Sequence, residues 1–146
     1  MAASTHEQIR VGDVAIRFLL EGKQTAGSVA VFEFDVPAGA QVAAAHSHDG
    51  YAETIYGLAG VLTWTIEGTP IDVAPGEALC IPRGAVHRFD NLGEVDASAL
   101  AIVTPGILGP GYFRDAAAIL DAAAGGPPDF AAIGAVMLRH GLTPAS

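Results

Sequence analysis

Short runs of β-branched and aromatic residues alternate with glycine and proline along the first two thirds of the chain. From Ile9 to about Thr104 a turn signal recurs roughly every eight to twelve residues, and apolar and polar positions alternate within the runs. Such alternation is typical of strands that bury one face, and the spacing of the turns favours an all-β sandwich or barrel. The clearest predicted strands cover residues 14–18, 28–36, 61–67, 70–74 and 96–103.

The apolar period changes to that of a helix after Gly106. An alanine-rich helix is expected to end near Gly125, and a second helix opens at Pro127 and closes at Gly141. Their apolar stripes comprise Tyr112, Phe113, Ala116, Ile119 and Leu120 in the first helix, and Phe130, Ile133, Met137 and His140 in the second. We therefore predict a β-barrel domain over residues 1–104 and a helical hairpin over residues 105–146. The hairpin is expected to pack on the barrel or on a partner subunit, and the alternative is a lid over the barrel mouth.

Composition and charge exclude several classes of protein. The 146 residues suffice for one domain with a real core, and 51% hydrophobic against 16% charged residues excludes a disordered chain. The formal charge is -9, so nucleic acid and anionic membrane surfaces are unfavourable partners.

The single cysteine, Cys80, limits both disulfides and metal chemistry. It can form no internal disulfide, and any metal must be held by histidine and carboxylate side chains. The N-terminus is polar where a signal peptide would need an apolar run, and no stretch has the length of a membrane span. We expect a cytoplasmic protein.

Three of the five histidines occupy positions suited to a metal site. On a strand, His46 and His48 would project from the same face, and Glu53 follows a turn signal that can bring its carboxylate back toward them. His87 comes after a proline–glycine turn that would run its strand across the same sheet. Three imidazoles and one carboxylate leave two positions of an octahedron open, which suits a catalytic transition metal better than a closed structural zinc site.

Two stretches around these residues resemble the motifs of the cupin superfamily. The first runs from Gly39 to Gly60 and contains His46, His48 and Glu53, and the second runs from Gly76 to Asn91 and contains Pro82, Gly84 and His87. One departure is an extra residue between Gly39 and His46, which is expected to lengthen a turn. The resemblance implies a cupin double-stranded β-helix, a jelly-roll barrel, with the C-terminal helical hairpin outside the minimal pattern.

The same resemblance implies a metal bound by His46, His48, Glu53 and His87. One divalent transition metal is expected, with iron, manganese or nickel first and copper, cobalt or zinc as the other metals found in the superfamily. A small acidic cupin with this ligand set looks most like the quercetinase-type dioxygenases. It would be a metal-dependent oxidoreductase acting on dioxygen and a small enolisable or aromatic, flavonol-like substrate, with Glu53 as a ligand that can also take the substrate's hydroxyl proton.

Two other functions stay open. The metal can act as a Lewis acid without dioxygen, in an isomerase, lyase or cyclase, or the barrel can be a non-catalytic binding module for a small molecule. Oxygen consumption distinguishes the dioxygenase from the first alternative, which uses no dioxygen. The second alternative predicts ligand binding that survives loss of the metal.

Four apolar residues are interpreted by default as core packing. The alternative is that they line a substrate-binding cavity in the barrel. Phe89 shares the strand parity of His87, and Leu62, Trp64 and Ile66 alternate onto one face. A bulge or turn at residues 57–60 would change which side chains face inward beyond it. The sequence therefore leaves open whether Trp64 faces inward or outward. Tyr51 and Tyr56 are interpreted as packing residues rather than site residues.

The expected assembly is a homodimer. Small cupin barrels commonly cover a sheet edge or face with a second copy, and this chain has apolar surface to cover.

Overall fold

The computed structural model describes residues 6–40 and 44–145, and it confirms the expected cupin-type β-sandwich with two C-terminal helices. The strands are β1 (Gln8–Val11), β2 (Val14–Leu20), β3 (Ala30–Val36), β4 (His46–His48), β5 (Ala52–Ala59), β6 (Leu62–Ile66), β7 (Thr69–Val73), β8 (Ala78–Ile81), β9 (His87–Asp90), β10 (Ala97–Thr104) and β11 (Leu142–Pro144). The helices are α1 (Pro110–Ala122) and α2 (Phe130–Arg139), and Gly22–Gln24 forms a 3-10 turn.

Two antiparallel sheets hold the core between them. In the described ranges, sheet A has the strand order β1-β2-β3-β10-β5-β8 and sheet B has the order β11-β4-β9-β6-β7. Every second residue of β3 and β10 is buried, as the period of two requires. Phe32 and Phe34 on β3 fill the interior, where Phe32 stacks on Phe18 with ring centroids 4.9 Å apart.

All five strands predicted from the hydrophobic pattern are present, with bounds shifted by up to two residues. Strands β4 and β9 carry the histidines that were expected on strands. The strands absent from the predicted list include β1, at the edge of sheet A, and β11, where the sequence suggested that the chain simply ends after the second helix. Strand β11 has three residues, one of them proline, which is too short for a detectable alternation. The longer turn expected before His46 falls largely on residues 41–43, which lie outside the described residues. Residues 1–5 of the predicted barrel domain also lie outside them.

Both predicted helices form, and the C-terminal segment packs on the barrel of its own chain. Its buried residues Leu108, Tyr112, Val136, Met137 and Leu142 belong to the same apolar cluster as the strands. Asp129 caps α2 by accepting a hydrogen bond from the backbone N–H of Ala132 (3.0 Å). Phe130, expected on the apolar stripe, is 69% exposed. The division into domains at residue 104 stays a prediction.

Across residues 6–40 and 44–145, neither helix has the length and apolar character needed to cross a membrane.

Asn91, the last residue of the second motif, ties the loop after β9 to β3. Its buried side-chain amide donates to the carbonyls of Val36 and Val95, both at 2.9 Å, and its oxygen accepts from the N–H of Gly93 at 3.0 Å. We expect Asn91→Ala to lower the free energy of unfolding by about 2–4 kcal/mol, because it removes three hydrogen bonds and leaves the buried Val36 carbonyl without this partner. Urea denaturation checks this.

The matched control is Glu94→Ala, in the same loop and exposed, which is expected to change stability by no more than about 0.5 kcal/mol. Equal stabilities of the two variants would contradict the assigned role of Asn91.

Candidate metal centre

The three predicted histidine ligands meet on the inner face of sheet B. His46 and His48 lie on β4, and His87 opens β9 as the cross-strand partner of His46. The turn before β9 depends on Gly84, whose φ of +81° is unfavourable for other residues. The Gly84 N–H also donates to the His48 carbonyl (2.9 Å), which fixes this turn against β4.

The imidazoles are close enough to share one ion. Their ring centroids lie 5.1 Å apart for His46 and His48, 4.7 Å for His46 and His87, and 4.5 Å for His48 and His87. One nitrogen from each ring can be chosen so that all three lie within 4.8 Å of one another. The chain therefore brings together three donors of the kind that bind divalent transition metals.

Backbone carbonyls set the tautomer of two of these rings. The Nδ1–H of His46 donates to the Ala44 carbonyl and that of His87 to the Ala85 carbonyl, each at 3.0 Å. A carbonyl only accepts, so the proton is on Nδ1 and the lone pair of Nε2 is free. This is the second-shell arrangement that orients histidine ligands in metal sites.

Burial keeps the histidines neutral, which is the form that binds metal. Desolvation, followed by the neighbouring His87, lowers the pKa of His46 to about 4. Desolvation lowers the pKa of His48 to about 2, with smaller contributions from His87 and His46, and it also lowers the pKa of His87. The site thus offers free lone pairs at neutral pH rather than positive charge.

Glu53 approaches the histidines from the opposite sheet. It lies on β5 in sheet A, is 6% exposed, and has its Oε2 4.0 Å from Nδ1 of His48. Burial raises the pKa of Glu53 to about 7. Within the described part of the chain, the group of donors that could share one ion consists of the three histidines and does not include Glu53. Its role as a fourth ligand stays a prediction.

One ring nitrogen of His48, Nδ1, is buried without a hydrogen-bond partner among the described residues. A buried polar group without a partner costs about 1–3 kcal/mol, so native structures keep few of them. Together with the two free Nε2 lone pairs, this atom makes the donor set fit a bound cation better than it fits polar packing.

The four residues predicted as a substrate wall face inward beside the histidines. Trp64 pairs with Phe89 and Ile66 pairs with His87 across β6 and β9, so these side chains share the histidine face. The ring of Trp64 lies 4.8 Å from Phe89 and 6.4 Å from His87, and the outward orientation left open for Trp64 is excluded.

These four residues differ in how much surface they offer. Trp64 and Leu62 are each 2% exposed, whereas Phe89 and Ile66 are only half-buried. His46 is likewise the least buried of the three histidines. Within this group, His46, Phe89 and Ile66 are therefore the residues with surface open to solvent.

Tyr51 lies beside the centre, although its sequence position had favoured a packing role. It is fully buried, and its ring stacks on His48 with centroids 4.4 Å apart and planes 24° apart. Burial raises the pKa of the Tyr51 hydroxyl, which has no hydrogen-bond partner in the described ranges. Its place two residues before Glu53 was the available signal, whereas Tyr56 is 42% exposed and takes no part.

Comparison with known proteins agrees with this fold. A family model described as a cupin domain matches residues 32–103. The chain is 29% identical over 108 residues to quercetin 2,3-dioxygenase from Bacillus subtilis (strain 168), a match covering 74% of this chain and 31% of that relative. This chain thus spans less than a third of the length of that relative.

Solved structures show the same fold. KdgF from Halomonas sp. superposes with a TM-score of 0.60 at 19% identity, covering 68% of this chain and 86% of that chain. A protein described as a predicted oxalate decarboxylase from Thermotoga maritima superposes with a TM-score of 0.62 at 23% identity, covering 69% and 92%. The chain belongs to the cupin superfamily.

Metal content tests the centre directly. We expect wild-type protein, purified without chelators or a histidine tag, to hold about one divalent transition metal ion per chain. His87→Ala should lose nearly all of it, because it removes one of three imidazole donors. Elemental analysis of the two proteins measures this.

His6→Ala is the matched control, since His6 is exposed and lies outside the group of three histidines. It should retain the wild-type metal content. A wild type that stays empty after each metal is offered in turn would contradict the assignment.

Proposed function

We propose that this protein is a metal-dependent cupin dioxygenase that acts on a small enolisable or aromatic, flavonol-like substrate. The observation that carries the proposal is the convergence of three neutral imidazoles beside an inward-facing aromatic cluster. The similarity to a quercetin 2,3-dioxygenase supports this choice of reaction among those of the superfamily. A homodimer in the cytoplasm is part of the same proposal.

A bound divalent metal supplies Lewis acidity and, where it is redox-active, a path for electrons between an organic substrate and dioxygen. His46, His48 and His87 would hold it, with Glu53 as the fourth ligand. In the described ranges Glu53 is the buried carboxylate, which supports it as the group that would take a hydroxyl proton from a substrate at the centre. Phe89 and Ile66 would contact the apolar body of the substrate.

A substrate would reach the centre past His46, the least buried of the three histidines. The interior beyond His87 is filled by the rings of Trp64, Phe34 and Phe89, with Trp64 and Phe34 centroids 6.0 Å apart. Trp64 Nε1 is buried and has no hydrogen-bond partner within the described part of the chain. A substrate oxygen is a suitable acceptor for this N–H.

Oxygen uptake by metal-loaded protein tests the reaction. We expect consumption of dioxygen with a flavonol such as quercetin, and a loss of about 100-fold or more in kcat for Glu53→Gln, because the amide cannot accept the proton. Glu94→Gln, an exposed change of the same kind, is expected to behave as wild type. An oxygen electrode and parallel metal analysis give both quantities.

The same assay separates the alternatives. Substrate turnover without oxygen uptake would replace the dioxygenase by a non-oxidative isomerase, lyase or cyclase. Saturable ligand binding that is unchanged after metal removal, with no turnover, would leave a binding module.

A further inference from the structure

The last strand of the chain pairs with the strand that carries two of the histidines. β11 lies at the edge of sheet B, antiparallel to β4, with Leu142 opposite His48, Thr143 opposite Ser47 and Pro144 opposite His46. Nearly a hundred residues separate these partners along the chain.

Further hydrogen bonds fasten both ends of β4 to this segment. The Asp49 N–H donates to the Gly141 carbonyl (3.0 Å), and the Ala145 N–H donates to the Ala45 carbonyl (2.9 Å). The Thr143 hydroxyl lies 2.9 Å from each carboxylate oxygen of Asp49 and donates to this group. The pairing therefore extends beyond the three registered residues on either side.

The opposite side of β4 is held less extensively. In the described ranges, its register with β9 consists of the pair His46 and His87, supplemented by the hydrogen bond from the Gly84 N–H to the His48 carbonyl. Most of the backbone pairing that fixes β4 therefore comes from β11.

Side-chain packing points the same way. Leu142, 1% exposed, is the cross-strand neighbour of His48 and shares its inward face. The His48 ring makes no hydrogen bond through Nδ1 to any described residue, so its orientation rests on packing, with Tyr51 stacked on one face. Second-shell hydrogen bonds normally orient histidine ligands, so without one at Nδ1 the position of the His48 ring depends more on its packing and on β4.

We propose that β11 is a positioning element of the metal centre, and that Thr143 and Leu142 set the metal affinity by holding β4 in register. The inference rests on the proposed function only in taking the three histidines as metal ligands. It gives the C-terminal segment the role of supporting a ligand-bearing strand. A lid over the barrel mouth or a segment that only packs on the barrel would not have this role.

The test is cobalt(II) titration of Thr143→Val, which removes the hydroxyl and keeps the side-chain shape at an exposed position. We expect the Kd for cobalt to rise about 3- to 10-fold and the ligand-field absorption to shift, because β4 loses its tie to Asp49. Thr143→Ser keeps the hydroxyl and should restore the wild-type Kd and spectrum.

The chain offers a matched control on the other edge of the same sheet. The Thr63 hydroxyl on β6 donates to the Asp72 carboxylate on β7 at 2.7 Å, so Thr63→Val removes the same kind of bond away from β4. We expect Thr63→Val to lower the Tm of the metal-free protein at least as much as Thr143→Val, yet to leave the cobalt Kd within about twofold of wild type. Hydrogen exchange of the metal-free proteins should increase over residues 44–50 in Thr143→Val alone.

The outcomes separate this inference from the proposed function. Wild type that binds cobalt and a Thr143→Val variant with the same Kd would overturn the positioning role and leave the metal centre intact. Equal losses of affinity in both valine variants would also overturn it, by showing a general effect of stability. Wild type that binds no divalent metal would overturn the proposed function, and this inference with it.

Discussion

The structure depends on burying three imidazoles and a carboxylate between two sheets whose remaining interior is apolar. Desolvation holds the histidines neutral, and two of them give their Nδ1 protons to backbone carbonyls, which leaves Nε2 without a proton. Polar groups placed in this way weaken a core that apolar residues would fill more favourably. A cation that binds the free lone pairs offsets this cost, so the protein's stability and its chemistry are linked at one point.

The two sheets contribute different parts of this centre. Sheet B presents the histidines from adjacent strands, and sheet A presents Glu53 from β5, which pairs with β10 in the middle of the sheet. A strand held on both sides is a rigid support for a buried carboxylate, whereas β4 is short and has few partners of its own. The precision of the centre is therefore limited by β4 rather than by β5.

The sequence predicted those features that repeat along the chain or stand at fixed spacing. Alternation located the long strands, and the spacing of the histidines predicted the three donors, His46, His48 and His87, that the structure brings together. Glu53 as a fourth ligand stays a prediction. Features that depend on contacts distant in sequence were not predictable. The separation between Glu53 and the other donors, for example, depends on how far apart the sheets lie. Tyr51 is a different case, because it follows His48 closely in the chain and its spacing from Glu53 was a usable signal. Strand β11 is too short and too irregular in composition to show a period.

The C-terminal helices matter to the centre because they determine where β11 begins. Gly141, with a φ of +82°, turns the chain from α2 directly into β11, and its carbonyl accepts from Asp49 beside the histidines. His140, immediately before it, is 3.0 Å from Asp115 on α1, so the two helices are joined at the point where the strand starts. Helix packing on one side of the barrel thereby constrains a strand inside the other sheet. An extension outside the minimal cupin pattern can in this way adjust a metal site without supplying a ligand.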